Sequence, residues 1–464
     1  MKKNILFPIE TISRELDFKL LLACMYASKE KNIYIGQHDY LYSLSKYMKG
    51  GLYLGKNMFL RKSNGDWINR HSKLKTRGFS MVHLDEEGAV YWGEEKEWER
   101  RLSRRMDVNA IDDDDFICTW GNFQRSYYQN STKISDEQVI TTGHPRFDLL
   151  KDKYRDIYKN DVREIKEKYG EFFLVPTAFQ WFNNPFGNAD TFSQRVGYNV
   201  TDDESRKRYI GFWSYCGKTF SDYIKMITHI SIEFPHKNII IRPHPSEGID
   251  IYNQAFSGVK NVHVVREKGV MPWIISCELL IADGCTTAIE AYISETPVVI
   301  YQPNDEQEHD MFLPSLVGIK SKTIDDVVHN IKLILSKQSQ KVSNPRENQR
   351  ALKLFNNFSA EDAFENVLSV LYKVEKIGTD QPNKFNKALF NLYRIRHRFL
   401  SILKGSVRFF FQEKYRSYIA YKKGFPGLDE KEISVKIKNI EKITNKKIDF
   451  KIINRNLIVL TQSR

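Results

Sequence analysis

Two short stretches of the sequence carry the residue types that bind phosphate. The first, Arg242-Pro243-His244-Pro245-Ser246-Glu247, follows the apolar run Ile239-Ile240-Ile241. Two prolines hold such a loop extended, so the His244 imidazole and the Arg242 guanidinium leave a fixed backbone, with the Ser246 hydroxyl beside them. That set suits a phosphate or carboxylate clamp; a buried histidine capping a turn is the plainer alternative. The second, Asp283-Gly284-Cys285-Thr286-Thr287, follows Leu279-Leu280-Ile281-Ala282. Gly284 permits close backbone approach, and a helix opening on Thr286 and Thr287 offers free N–H groups, a dipole and hydroxyls to an anion. Glu290, one turn on, is placed to take a ribose diol. Helix capping by the threonines is the plainer alternative here.

Acid–base chemistry has two candidate sources. Asp85-Glu86-Glu87 stands before Gly88 at a predicted strand end. Three adjacent carboxylates repel one another, which raises one pKa and suits acid–base work; a solvated acidic turn is the alternative. Arg14, Glu15 and Asp17 open the first predicted helix, where acids favour the dipole anyway. Glu15 ranks below the 85–87 run, as a residue to orient an acceptor or join the base. Trp120 and Gln124 fall in a loop at another strand end, either lining an acceptor site or packing in the core. Thr142-Gly143-His144-Pro145-Arg146 is expected to shape an interdomain crevice, with His144 and Arg146 at its surface. Gln180-Trp181-Phe182-Asn183-Asn184 is expected to face the same crevice and to stack on a base or sugar. The acidic run Asp112–Asp115 reads as a solvated turn, and no essential metal is expected. No G-x-G-x-x-G, Walker, G-x-S-x-G or H-E-x-x-H pattern occurs, which argues against dehydrogenase, kinase, hydrolase and metalloprotease chemistry.

These loops need strands and helices to position them. KNILFPI, NIYIGQ, GFSMVHLDEEG, DDFICTWG and QVITTGHP read as strands alternating with helices, and EFFLVPTAF, KNIIIRPHP, VHVVRE, CELLIADG and TPVVIYQP form a second such series. Alternation of this kind predicts doubly wound parallel sheets. The chain's 464 residues exceed what one core fills, at about 250–300 residues. We therefore expect domains at 1–165 and 166–375, followed by a basic helical and small α+β extension at 376–464. A charged fraction of 28% with 29 Phe and 24 Tyr excludes a disordered chain. Five scattered cysteines without a CxxC pair argue against a disulfide scaffold or zinc module and suit a reducing compartment. No 18-residue apolar run is present, and the opening MKKNILFPIETISRELD turns polar before a secretory core forms. The net charge of +13 is concentrated: 11 Lys+Arg against Glu413 alone lie between Lys384 and Lys423. There the charges alternate with Phe, Leu, Ile and Tyr at helical spacing, so residues 384–423 are expected to lie on an anionic membrane surface. Packing on the body is the alternative, and nucleic acid is not an expected partner. The location this implies is cytoplasmic, peripheral on the inner face of the cell membrane.

The RPHP loop, followed by a strand ending in Asp and a Thr-Thr helix start, resembles the nucleotide-binding domain of bacterial GT-B glycosyltransferases of surface-carbohydrate biosynthesis. The likeness is to capsule and lipopolysaccharide Kdo transferases, and more distantly to CDP-glycerol glycerophosphotransferases. Glu10-Thr11 with Arg14-Glu15-Leu16-Asp17, Leu84-Asp85-Glu86-Glu87-Gly88 and Thr142-Gly143-His144-Pro145-Arg146-Phe147-Asp148 extend it over about residues 1–375. The resemblance implies a GT-B fold, two Rossmann-like doubly wound domains facing a cleft. It implies a metal-independent glycosyltransferase with no cofactor beyond its nucleotide-sugar donor. That donor would be a CMP-activated ulosonic acid passed to a glycan or lipid-linked oligosaccharide. His244 would touch the donor phosphate with support from Arg242 and Ser246. Asp283, Gly284, Thr286 and Thr287 would bind the same phosphate, and Glu290 the ribose. One of Asp85, Glu86, Glu87 or Glu15 would act as base or, in a double displacement, as nucleophile. Arg14, Trp120, Gln124, His144 and Arg146 would line the acceptor side. The implied alternatives are a polyol-phosphate transferase using a CDP-linked donor, a UDP-sugar epimerase, and a non-catalytic scaffold of the same fold.

Overall fold

A computed structural model describes residues 2–55, 66–131, 133–185, 187, 191–194, 197–304, 309, 311–337, 346, 348–377, 384–408 and 424–463. The chain divides into two compact units. One comprises Met1–Ala89, Trp98–Ile157 and Gln349–Arg464, the other Val90–Glu97 and Tyr158–Asn348. Each is an α/β unit on a largely or wholly parallel sheet, the doubly wound pair that the alternation of strands and helices predicts.

The first unit is built on strands β1 (Lys3–Ile9), β2 (Lys31–Gln37), β4 (Gly51–Gly55), β5 (Phe79–Leu84), β6 (Phe116–Thr119) and β7 (Val139–Thr141), all parallel, in the order β2-β1-β4-β5-β6-β7. Six of the seven β1 residues are buried in sequence, as expected for a strand covered on both faces. The chain passes from β1 outward to β2 and then returns to the other side of β1 for β4. The strand order therefore reverses between β1 and β4, the point at which sheets of this kind offer a crevice for ligands.

The tail differs from the separate extension expected after residue 375. Strands β15 (Ile448–Asn454) and β16 (Leu457–Gln462) form a hairpin, and β16 pairs antiparallel with β2 through Ile458 opposite Ile35 and Leu460 opposite Ile33. The Asn456 carbonyl accepts from the Gln37 amide at 3.0 Å. A side chain at Gly36 would collide with that oxygen, so this docking needs glycine there. The Glu430–Thr444 helix buries Ile433, Ile437 and Ile440, and Lys436 pairs with Asp17 of the Ile12–Tyr26 helix. The Ala363–Ile377 helix also returns to this unit, where the Tyr26 hydroxyl donates to Leu371 O at 3.3 Å. A two-residue pairing joins β3 (Met48–Lys49) to β14 (Lys384–Phe385) and leads into the Lys387–Arg408 helix.

In the second unit β8 (Phe172–Thr177), β9 (Asn238–Pro243), β10 (Val262–Val264), β11 (Leu279–Ala282), β12 (Val298–Tyr301) and β13 (Ile319–Ser321) form a wholly parallel sheet in the order β10-β9-β8-β11-β12-β13. Counted from β8 this is the 3-2-1-4-5-6 order of dinucleotide-binding sheets, with its reversal between β8 and β11. The Asp203–Glu233 helix buries Phe220, Tyr223, Met226, Ile227 and Ile230, at spacings of three, three, one and three that lay a stripe on the core. Among the described residues, no helix is long and apolar enough to cross a membrane.

Candidate functional site

The second unit turns its chemistry-bearing loops out at the carboxyl ends of β9 and β11, the two neighbours of β8. After Pro243 the His244 amide donates to Thr177 O at 3.0 Å, which folds the loop back over the end of β8. Below it Glu247 is fully buried and accepts from the Thr177 hydroxyl at 3.0 Å, the Phe179 amide at 3.1 Å and the Tyr252 hydroxyl. Burial raises its pKa against those donors, since a low-dielectric setting disfavours the charged form. Arg266, just beyond β10, donates to the carbonyls of Pro243 at 3.3 Å, His244 at 2.9 Å and Glu247. One guanidinium thus fixes three carbonyls of the loop. Its only trace in the sequence is an arginine two residues past a short strand.

On this footing His244 is exposed, and its Nδ1 accepts from the Ser246 amide at 3.2 Å. The neutral ring then carries its proton on Nε2, a donor suited to a phosphate oxygen. His244 is therefore not buried, although its ring does cap the turn through the Ser246 amide. Arg242 departs from its expected role in the clamp. Its Nη atoms donate to Glu267 O at 2.8 Å and Lys268 O at 3.1 Å, its guanidinium lies 5.0 Å from the Trp273 ring, and burial lowers its pKa to about 10. Arg242 braces the loop after β10.

At the end of β11, Gly284 adopts a φ of +112°. A side chain would be strained in that conformation. The Gln302 side-chain amide donates to Asp283 O at 3.2 Å and steadies the turn. The Thr286–Ile293 helix follows, with Cys285 as its N-cap; the Cys285 side chain makes no capping hydrogen bond, though its sulfur lies beside the Thr287 amide and hydroxyl. Thr286 and Thr287 are the first helical residues, half-buried, so they do not cap their own helix. Glu290, one turn on, is buried. The segment expected to stack on a ligand packs internally: Trp181 meets the rings of Tyr209 and Phe212, and Phe182 those of Trp213 and Phe220. Asn183 is bound to Glu247 and to Gly248 O.

The first unit gathers its ionisable groups at the ends of β1, β5 and β7. Lys19 is buried and donates to Pro8 O at 2.5 Å, to Glu15 at 2.8 Å and to Glu86 at 3.2 Å. Burial works against its charge, but the two carboxylates outweigh it and raise its pKa. Glu15 also accepts from the Glu10 and Thr11 amides at 3.2 and 3.1 Å. His144, fully buried, sets Nε2 3.2 Å from Glu86, accepts the Arg146 amide on Nδ1, and is walled by the rings of Phe18, Trp120 and Phe147. Burial lowers its pKa despite Glu86. Burial alone would raise the Asp85 carboxyl, but Arg105 clasps it and holds its pKa down to about 2. Glu87, with 56% of its side chain exposed, stands 3.0 Å from Arg14 and 3.4 Å from Arg105.

This arrangement corrects the expected acceptor lining. Trp120 is a core residue donating to Asp85 O at 2.5 Å, and Gln124 is buried, donating to Gly88 O at 2.6 Å and Leu354 O at 3.0 Å. Arg146 is buried, 4.7 Å from the Phe147 ring. With His144 buried as well, only Arg14 of that set reaches the surface. Lys19, in contrast, carries no flag in the sequence except a lysine inside the apolar run LDFKLLLACMY.

The acidic run 112–115 is likewise no plain solvated turn. Asp115 is fully buried, accepting from the Met81 and Asp112 amides at 3.1 Å each and pairing with His71 and Lys75 at 2.9 Å each. His71, Asp112 and Asp115 bring three ligand-type atoms within 4.8 Å of one another, but the Lys75 ammonium already balances these acids. They sit at the amino ends of β5 and β6, opposite the strand ends that carry the sites.

No protein-family model matches the chain, and no curated protein sequence matches it. Solved structures do. The Methanocaldococcus jannaschii UDP-GlcNAc 2-epimerase in complex with UDP-GlcNAc and UDP is similar at 13% identity over 80% of this chain and 100% of that one, TM-score 0.45. The UDP-GlcNAc 2-epimerase from Neisseria meningitidis bound to UDP-GlcNAc is similar at 12% over 80% and 100%, TM-score 0.45. A variant of the wall teichoic acid polymerase TagF is similar at 12% over 81% and 90%, TM-score 0.49. None of these three is a Kdo transferase.

Proposed function

We propose that the chain is an enzyme acting on a nucleotide-linked sugar or polyol in surface-polysaccharide synthesis, with the second unit holding the nucleotide's phosphates. The observation that carries this reading is the pair of anion-binding features flanking β8: the exposed His244, whose Nδ1 is taken by the Ser246 amide, and the start of the Thr286–Ile293 helix, with Gly284 and two threonines and no capping hydrogen bond from its N-cap side chain. Strands lie about 4.8 Å apart, so the ends of β9 and β11 are roughly 10 Å apart. A single phosphate does not readily meet both, whereas a nucleoside diphosphate with its sugar does. A UDP- or CDP-linked substrate meets both through its diphosphate, a CMP-linked ulosonic acid only through its phosphate and carboxylate together, and we place the diphosphates first. In the first unit Glu87 is our choice for the acid–base residue, since of the three carboxylates it alone is exposed, although it too is paired with arginines.

A thermal-shift panel of CMP, CDP, UDP, UDP-GlcNAc and GDP, with and without EDTA, tests the proposal. A nucleotide present at 100 times its dissociation constant adds about 2.7 kcal/mol of stability. UDP or CDP compounds should stabilise more than CMP, without regard to EDTA, and His244→Ala should remove the shift while melting like the wild type alone. A response to CMP alone would restore the ulosonic-acid donor, and silence throughout would favour a non-catalytic scaffold. For the nucleotide that binds, NMR of its sugar conjugate without an acceptor separates isomerisation, which proceeds, from transfer, which does not.

A further inference from the structure

The Lys387–Arg408 helix has two faces of different character. Its inner face is anchored: Phe390 is buried against the rings of Tyr40, Tyr47 and Phe385, Tyr393 meets Tyr40 and Tyr47, and His397 meets Tyr40. Arg394 donates to Ile453 O at 2.9 Å and ties the helix to the β15–β16 hairpin. The outer face is apolar and open. Leu389 is 52% exposed, Leu392 65%, Ile395 71% and Phe399 64%. Their spacing of three, three and four residues lines them along one side of the helix. A helix that only packed on the body would turn such residues inward.

The charges identify what covers this face: Arg396 borders it, and Lys384 and Lys387 stand at the amino-terminal end of the helix. Lys384, Lys387 and Arg396 are exposed on or beside the helix, and residues 387–408 contain no Asp or Glu. We propose that this face docks on an anionic lipid surface, with the four apolar side chains in the headgroup layer and the three cations on lipid phosphates. A second copy of the chain is a poorer occupant, because a two-fold contact through this face would set its cations against their own copies. The basic stretch of the sequence extends to residue 423; residues 409–423 lie outside the described residues, and the proposal uses none of them.

The test uses the full chain and co-sedimentation with phosphatidylcholine vesicles, with and without phosphatidylglycerol. Binding should require phosphatidylglycerol and weaken as salt rises. Leu392→Gln with Ile395→Gln, at positions too exposed to support the fold, should weaken it by about tenfold or more with unchanged circular dichroism and melting. Lys387→Ser with Arg396→Ser should remove the preference for phosphatidylglycerol. Binding that persists unchanged in both double variants overturns the proposal. So does absence of vesicle binding together with a concentration-dependent dimer that Leu392→Gln dissociates. The nucleotide-dependent melting shift of the same variants serves as the separate readout for the proposed enzyme, so failure of one reading leaves the other standing.

Discussion

Three consecutive carboxylates at the end of β5 have three different environments, and this decides which can react. Asp85 is ionised at any physiological pH, and its oxygens are held by Arg105 and the Glu87 amide. Glu86 is buried between Lys19 and His144. Glu87 alone of the three is open to solvent, beside two arginines. Glu86→Gln removes one member of a buried ion group and should cost about 3–5 kcal/mol of stability. Glu87→Gln should change stability by no more than about 0.5 kcal/mol, since exposed pairs contribute little, yet lower turnover by about 10²-fold. Urea unfolding and turnover on the same samples check both. A fully active Glu87→Gln would remove that residue from the chemistry, and a Glu86→Gln as stable as the wild type would dismiss the buried group. The place of this run at a strand end and the histidine loop are equally legible in the sequence, because strand, proline and glycine signals are local. What separates Glu86 from Glu87 is not, since Glu86 turns inward to meet a lysine 67 residues earlier. Arg242 defeats a sequence reading for the same reason, and Trp120 is left open by it: their partners are carbonyls that only the folded chain brings near.

At the scale of elements, the carboxyl-terminal hairpin is part of the first unit's sheet. Leu457, Ile458 and Leu460 are fully buried where β16 lies on β2. Leu460→Ala should therefore cost about 2–5 kcal/mol, a large share of a typical folding free energy of about 5–15 kcal/mol. Chemical denaturation would show it as a lower midpoint, and a midpoint like the wild type's would mean that the hairpin is loosely held. Deleting everything past residue 384 would consequently damage the first unit as well as any membrane contact, which is why surface substitutions are the cleaner probe of the Lys387–Arg408 helix. The strands β1, β2 and β5 to β12 stand where the sequence indicates. Strand β4 leaves no such signal, because Gly51-Leu52-Tyr53-Leu54-Gly55 is short and begins and ends in glycine. Its neighbours β1 and β5 supply what its own propensity lacks. The small α+β character of the tail is legible but its destination is not, since an antiparallel edge addition to β2 leaves no mark on either segment alone.

For the molecule as a whole, the buried ionisable groups set how stability responds to acid. His83 is fully buried, and burial lowers its pKa from 6.5 to about 4, with Asp85 opposing and Arg105 reinforcing the shift. His144 is lowered in the same sense. A histidine whose folded pKa lies below its unfolded value contributes stability above the unfolded pKa, and that stability is lost as pH falls from about 6.5 toward the folded value. Asp85 acts with the same sign but lower, its share disappearing only as pH falls from 3.8 toward about 2. Glu247 and Asp148, raised by burial, have the opposite sign: folding favours their protonated forms, so acid partly offsets the loss. These other groups are common to the wild type and to His83→Gln, so comparing the two chains cancels them. Between about pH 8 and pH 5, protonation of His83 in the unfolded chain alone should remove about 2 kcal/mol of stability. Urea midpoints measured at both pH values in the two proteins give the answer as a difference of differences. Whatever its starting stability, the variant should lose less on acidification, by about 2 kcal/mol. An equal loss in both would show that His83 takes up its proton within the folded chain.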